Sequence, residues 1–585
     1  MPAAFRGVVL DRFNKKPEAA SAIAYLEGAV RELSGAAVSL SSSDSEICDY
    51  AKERSDEVRS LLMATVSTTA EDLLLLLNGY CKEFGAVAPA KVKLSGLVAR
   101  MTDAGWWRRQ VRRSMARKEE AHAIDLGFVH RRAGVYASDD AVKRHGEQQR
   151  RNRVALEATE ATNEEGLTMT LAELSAVGVS NPRIRRGELM TRIAGFEGFA
   201  KAAGHVGMFY TATAPSRMHA RLAASGEENP KFDGTTPREC ASYLSKTWAK
   251  ARAWLHRRGI NIYGFRVAEP HHDGTPHWHM LFFMLPQVVE SVTACFRRYF
   301  CEADAHELNT EKAAGARFNA KAIDWKRGSA AGYISKYIAK NIDGAKNDLS
   351  SIGQAHDETE AGTYEVGASD EVAPRVLAWA STWGIRQFQQ IGGPGVTVWR
   401  ELRRLREMEH QGDLFETWSA ADVGNWEAFM RCQGGVEIAR ADRPVQLWKE
   451  DDGRKTKYAE PAGPVIVGVR LGDEITRTRI HQWEIRTGCG KGKKVEIAPS
   501  LDFGAQPPWS PVNNCTPARK DADGFEIGSL TVTDTVWQMP EAMREQIKRA
   551  ECAAVLAGIA SRRKRGGFGQ FPKLGFQTNG GLSNE

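Results

Sequence analysis

At 585 residues the chain is too long for one hydrophobic core and predicts roughly three or four domains. Apolar residues make up 42% and charged residues 26%, as in ordinary soluble globular protein, and a net charge of +7 permits a polyanionic partner without demanding one. Nine scattered cysteines with no Cys-x-x-Cys pair argue against a zinc ribbon or a disulfide framework and for a reducing compartment. The start, Met1-Pro-Ala-Ala-Phe-Arg6, lacks a signal-peptide pattern, and the leucine run Leu73 to Leu77 falls far short of the roughly 20 apolar residues of a membrane span. A cytoplasmic protein with no membrane partner is expected.

Residues 1–95 read as a helical N-terminal region, broken by the serine-rich stretch Ser39 to Ser45. Residues 96–200 form a basic region that also reads as helical, and its window 101–155 holds 13 basic against 7 acidic residues. Arg108, Arg109, Arg112 and Arg113 follow Trp106-Trp107 there. The window, these four included, is either a solvated helical face or a footprint on a DNA backbone, where lysines and arginines neutralise phosphates and release counterions.

Residues 201–345 change character. Met208 to Thr213 reads as a strand, Ala241 to Arg257 as a helix, and Ile260 to Glu269 and Pro276 to Leu285 as two strands joined by a short turn containing Asp273-Gly274. A helix over 287–310, a strand from Arg317 to Ile323 and a helix from Tyr333 to about Asn341 follow. Residues 346–373 read as an acidic loop and 374–440 as a helical extension interrupted at Gly392-Gly-Pro-Gly395. The C-terminal region, 441–585, is mixed, with strand patterns such as Val465 to Leu471, an irregular stretch over 500–530 and a basic tail that reads as disordered. The fold class is α+β, and no internal repeat is visible.

Four of the chain's 14 histidines fall between 271 and 279. In His277-Trp278-His279 strand alternation puts both histidines on one face and Trp278 on the other. Glu269, on the preceding strand of the hairpin, falls opposite or diagonal to them. Glu plus two His is a three-ligand set that leaves positions open for a substrate, although a hydrogen-bonded histidine pair in an ordinary core is the plainer alternative. The residue chemistry leaves the metal open, since imidazole-rich sites often favour zinc.

Tyr333-Ile-Ser-Lys336-Tyr337-Ile-Ala-Lys340 has helical period. At about 100° per residue Tyr333, Lys336, Tyr337 and Lys340 share one arc, while Ile334, Ile338 and Ile342 form the apolar stripe that packs on a sheet. An amphipathic helix with packing tyrosines and solvated lysines has the same pattern. Beside a metal it makes chemical sense: a phenol with a reference pKa of about 10 attacks a phosphodiester only with help from a Lewis acid and nearby cations.

Phe209-Tyr-Thr-Ala-Thr-Ala-Pro-Ser216, Tyr263 through His279, Gly328 through Asp343 and Trp383 through Gly393 together resemble the phage replication gene A protein family. These are two-tyrosine HUH endonucleases that initiate rolling-circle replication in tailed temperate phages and prophages. The likeness runs from about residue 100 to 410. It implies an HUH nuclease domain at about 200–345, with a central antiparallel sheet of about five strands flanked by helices. It also implies Mg²⁺ or Mn²⁺ held by Glu269, His277 and His279. Tyr333 and Tyr337 would act in turn as nucleophiles, assisted by Lys336 and Lys340. Each would form a 5′-phosphotyrosine and release a 3′-OH on single-stranded or supercoiled origin DNA in the bacterial host cell. Host polymerase would extend that end. The chain has no Gly-x-x-x-x-Gly-Lys-Ser/Thr phosphate loop, so a host helicase is an implied partner. A relaxase or two-tyrosine transposase, a zinc-type hydrolase using the same Glu/His/His set, and a non-catalytic DNA-binding regulator are the competing readings.

Overall fold

The computed structural model describes residues 3–15, 21, 23, 24, 26, 27, 42–64, 69–90, 92–326, 328–342, 369–405, 408 and 412–487. Residues 39–41 of the serine-rich break, 346–368 of the acidic loop, the irregular stretch over 500–530 and the basic tail lie outside these residues.

Eleven strands are present among the described residues. The first two are β1 (Thr159–Asn163) and β2 (Thr168–Thr170), followed by β3 (Val206–Ala212), β4 (Tyr263–Pro270), β5 (Pro276–Met284), β6 (Phe318–Ala322) and β7 (Phe388–Ile391). Then come β8 (Val445–Glu450), β9 (Val465–Leu471), β10 (Glu474–Arg477) and β11 (Trp483–Thr487). The expected central sheet is present as five antiparallel strands in the order β6-β3-β5-β4-β7, so the fold is α+β.

Alternation along β5 divides the protein into layers. Trp278, Met280, Phe282 and Met284 point into a core shared with Leu244 and Trp248 of the helix Pro237–Arg257 and Phe296 of the helix Val289–Phe300. Leu281 and Phe283 point the other way, into a core with Ile193 and Phe196 of the helix Pro182–Ala202 and with Ile334, Ile338 and Ile342 of the helix Ala330–Ile342. The isoleucine stripe therefore packs against the sheet as its spacing predicts. The β4–β5 turn is clamped from three sides. Trp379 Nε1 donates to the Gly274 carbonyl (2.7 Å), Thr275 Oγ1 donates to the Met218 carbonyl (3.2 Å), and the Tyr136 amide donates to the His272 carbonyl (3.2 Å). Gly274 takes a φ of +82°, which only glycine adopts without strain.

Several stretches differ from their sequence reading. Within 160–200, read as helical, β1 and β2 form a hairpin, and β1 pairs on its other side with β11. Five-residue polar strands of this kind owe their conformation to a partner more than 300 residues away, which no local pattern reports. Phe388–Ile391, read within a helical extension, is the edge strand β7 that completes the central sheet. The helix expected over 287–310 ends at Phe300, and a short helix, Glu311–Arg317, precedes β6. Helix resumes at Ser369, inside the stretch read as loop. At the N-terminal side the helices Asp44–Ala64, Ala70–Glu83, Leu94–Met101 and Ala104–Asp125 share a core around Leu77, Met101 and Trp107. No helix among the described residues is long and apolar enough to cross a membrane.

Candidate metal centre and nucleophile

The hairpin register puts Glu269 directly across from His277, and β3 runs on the other side of β5 with Thr211 across from His279. Glu269, His277 and His279 are all buried, with 1%, 1% and 3% of their surfaces exposed. The two Nε2 atoms lie 2.9 Å apart, and His279 Nε2 is 3.9 Å from Glu269 Oε2. One ligand atom from each residue lies within 4.8 Å of the others, and among the described residues this is the one cluster of its kind. Adjacent ligands on one ion with bonds of about 2.1 Å are separated by roughly 3 Å, so the spacing fits a shared divalent cation. A carboxylate buried this deeply is costly without such a counter-charge.

Second contacts fix the ring orientations. Thr211 Oγ1 is 3.2 Å from His279 Nδ1, so a proton held on Nδ1 leaves Nε2 as the ligand atom. The His271 ring packs on the His277 ring with centroids 4.1 Å apart, and His219 meets His271 edge-on at 5.0 Å. His219 Nδ1 lies 3.3 Å from Asp273 Oδ2, and the other Asp273 oxygen accepts the Thr275 amide (3.0 Å). Burial pushes the Asp273 carboxyl up, but the neighbouring His219, His272 and His271 more than reverse this and hold it well below the usual carboxylate range. Burial lowers the His271 imidazole well below its ordinary value. Thr211, His219 and Asp273 were not singled out from the sequence. For Thr211 the signal was present, because pairing of Met208 to Thr213 with the histidine strand makes it a same-face neighbour of His279.

The helix Ala330–Ile342 brings Tyr337 to this centre. Its ring lies 4.3 Å from the His279 ring, and Phe209 stacks on both, 5.6 Å from His279 and 5.9 Å from Tyr337. Only 6% of Tyr337 is exposed. Tyr333 sits one helical turn earlier on the same helix, and the side chains of Tyr333, Lys336 and Lys340 lie outside the described residues.

The model of the bacteriophage replication gene A protein family matches residues 45–345, more than half of the chain. The chain belongs to this family. Among its relatives, the replication gene A protein of Escherichia phage 186 is 42% identical over 450 residues, covering 76% of this chain and 61% of its own length. The replication protein of Haemophilus phage HP1 is 36% identical over 433 residues, covering 72% of this chain and 54% of its own length. A probable replication endonuclease from a prophage-like region of Salmonella paratyphi A is 35% identical over 491 residues, covering 80% and 58% respectively. The chain thus spans between about half and about two thirds of the length of these family members. No solved structure matches it.

The family match includes the basic region, where three of the four singled-out arginines have structural partners. Arg109 donates to the Tyr458 hydroxyl (2.8 Å), Arg112 pairs with Asp44, and Arg108 Nη1 lies 3.8 Å from Cys48 Sγ. Arg113 is exposed.

Proposed function

We propose that the protein is a phage replication initiator that nicks one strand of origin DNA through a tyrosine nucleophile at a metal centre formed by Glu269, His277 and His279. The observation that carries this reading is the contact between Tyr337 and His279, two buried residues whose ring centroids lie 4.3 Å apart. The family membership and a relative named as a probable replication endonuclease support the same activity.

Glu269, His277 and His279 would hold Mg²⁺ or Mn²⁺, which supplies polarisation of a phosphoryl oxygen. The phenolate oxygen of Tyr337 attacks phosphorus, the bond from phosphorus to the 3′-oxygen breaks, and the departing 3′-oxyanion takes up a proton. The products are a 5′-phosphotyrosine ester and a 3′-OH primer. The ester retains a phosphodiester bond, so the reverse attack by a 3′-OH rejoins the strand without ATP. Tyr333, one turn away, is the second nucleophile of the cycle, with Lys336 and Lys340 supplying positive charge to the reacting phosphate. Thr211 keeps His279 in the tautomer that binds metal. Host polymerase extends the primer and a host helicase separates the strands.

Incubation with a randomised single-stranded oligonucleotide pool and Mn²⁺, followed by denaturing electrophoresis, tests the reading. A protein–DNA adduct is expected that is abolished by EDTA and by Tyr333→Phe combined with Tyr337→Phe. Strand scission that survives the double substitution would indicate water as the nucleophile and refute it.

A further inference from the structure

Beside the edge strand β7 lies a charge arrangement that the metal centre does not use. Phe388 stands across from Val267, which stands across from His279, so one row of neighbours crosses the sheet from the edge to the metal ligands. The Ala268 amide donates to the Gln387 carbonyl (2.8 Å), so contact with β4 runs one residue past β7, to the neighbour of Glu269, and Arg386 is the next residue in the chain. Arg386 is exposed, with its Nε donating to the Phe388 carbonyl (3.1 Å). From the first turns of the helix Pro182–Ala202, exposed Arg185 reaches over the Phe388 ring, 5.9 Å from its centroid. The two guanidinium groups therefore both contact Phe388, two strands across the sheet from His279.

Their surroundings have too few anions. Glu188 is held by both Arg400, through two contacts of 2.7 Å, and Arg192, at 3.2 Å. Both Glu188 oxygens are thus engaged by these two guanidinium groups, and Arg185 stands three residues earlier on the same helix. Among the described residues neither Arg185 nor Arg386 pairs with an acid, and the first turn of the helix bearing Arg185 contains none. The crowding is felt in the interior. Burial pushes buried Arg192 down to about 10, with Glu188 opposing and Arg400, Arg185 and Arg386 adding to the fall. A patch of excess positive charge beside a phosphoryl-transfer centre is completed by an anion.

Resting on the nicking reading above, we propose that Arg185 and Arg386 grip the sugar–phosphate backbone of the single strand next to the scissile phosphate, so that the strand enters the metal site across the β7 edge. The grip positions DNA and takes no part in bond making. It predicts a penalty on binding and KM with kcat little changed.

The test compares the full chain with Arg185→Gln plus Arg386→Gln, measuring fluorescence anisotropy of a labelled randomised single-stranded 30-mer in EDTA over a salt series. Losing two phosphate contacts should make the slope of log K against log salt shallower by about 1.4 and lower affinity several-fold at moderate salt. The melting temperature should hold or rise, since both side chains are exposed and repelled by their neighbours. Arg252→Gln plus Arg257→Gln, removing two exposed arginines from the helix Pro237–Arg257 on the other face of the sheet, serves as the charge control and should leave the slope close to that of the parent. Unchanged slope and affinity in the β7-edge variant, or an equal loss in the control, would overturn the grip. Parent protein that forms no adduct with any strand defeats the nicking reading instead, and the slope comparison still decides the grip.

Discussion

The two faces of β5 serve different ends. One face, Trp278, Met280, Phe282 and Met284, is apolar throughout and packs on two helices. The other begins with Leu281 and Phe283 in a core and ends with His277 and His279 in a buried polar centre. The difference teaches that the site is an extension of a packed core. Tyr337 reaches His279 because Ile334, Ile338 and Ile342, on the same helix, are fixed against the sheet. Substitutions on the two faces should therefore separate stability from chemistry.

The largest effect is expected on the apolar face. Trp278 is 2% exposed, with the Arg266 guanidinium 3.8 Å from its ring centroid, and Trp278→Ala should cost about 3–5 kcal/mol in denaturant unfolding. A loss below about 1 kcal/mol would break the comparison, because that face would then not be a close-packed core. On the other face Glu269→Gln keeps the shape and removes a buried charge. Adduct formation should fall by about 10²–10³-fold, as when one strong electrostatic contact to a transition state is lost, while metal-free stability holds or rises. Parallel losses of activity and stability would instead make Glu269 a structural residue.

Asp273 tests the support beneath the centre. Asp273→Asn should cost about 1.5–3 kcal/mol at neutral pH, the range for hydrogen bonds to a charged group. Its folded-state carboxyl lies below the unfolded value of about 3.9. The stabilisation is thus fully present above about pH 4 and is lost as pH falls toward the lower folded value. Urea unfolding of parent and variant between pH 7 and 3 should show the gap narrowing, and a gap that widens on acidification would contradict this sign. The smallest effect belongs to Thr211→Val, which removes the hydroxyl beside His279 Nδ1 and should weaken Mn²⁺ binding about 10–100-fold, with Thr211→Ser restoring it. Calorimetric titration with Mn²⁺ measures this, and equal affinity in the valine variant would remove Thr211 from the account.

The same comparison explains what was legible in the sequence. His277, His279 and Glu269 were readable because a period of two and a short turn fix the geometry of a hairpin from local residues alone. The isoleucine stripe was readable for the same reason at helical period. That Tyr337 meets His279 was a chemical inference, since no local pattern states which part of a helix lies over which part of a sheet. β7 was misread because Phe388–Ile391 is four residues long and becomes a strand only by pairing with β4. The arginine run after Trp106-Trp107 suggested DNA, yet Arg109 and Arg112 have protein partners at Tyr458 and Asp44 that sequence cannot reveal. Arg386 lies in the Trp383 to Gly393 stretch that carries the resemblance, but its place just ahead of β7 follows from a pairing that no local pattern reports.

The central claim is that a tyrosine of the helix Ala330–Ile342 becomes covalently joined to DNA under control of the Glu269, His277 and His279 centre. Mass spectrometry of proteolysed protein after incubation with single-stranded DNA and Mn²⁺ tests it most directly. The account predicts a nucleotide-bearing peptide that maps to Tyr337 or Tyr333 and is strongly reduced in Glu269→Gln protein. Cleaved DNA with both tyrosines unmodified would contradict it.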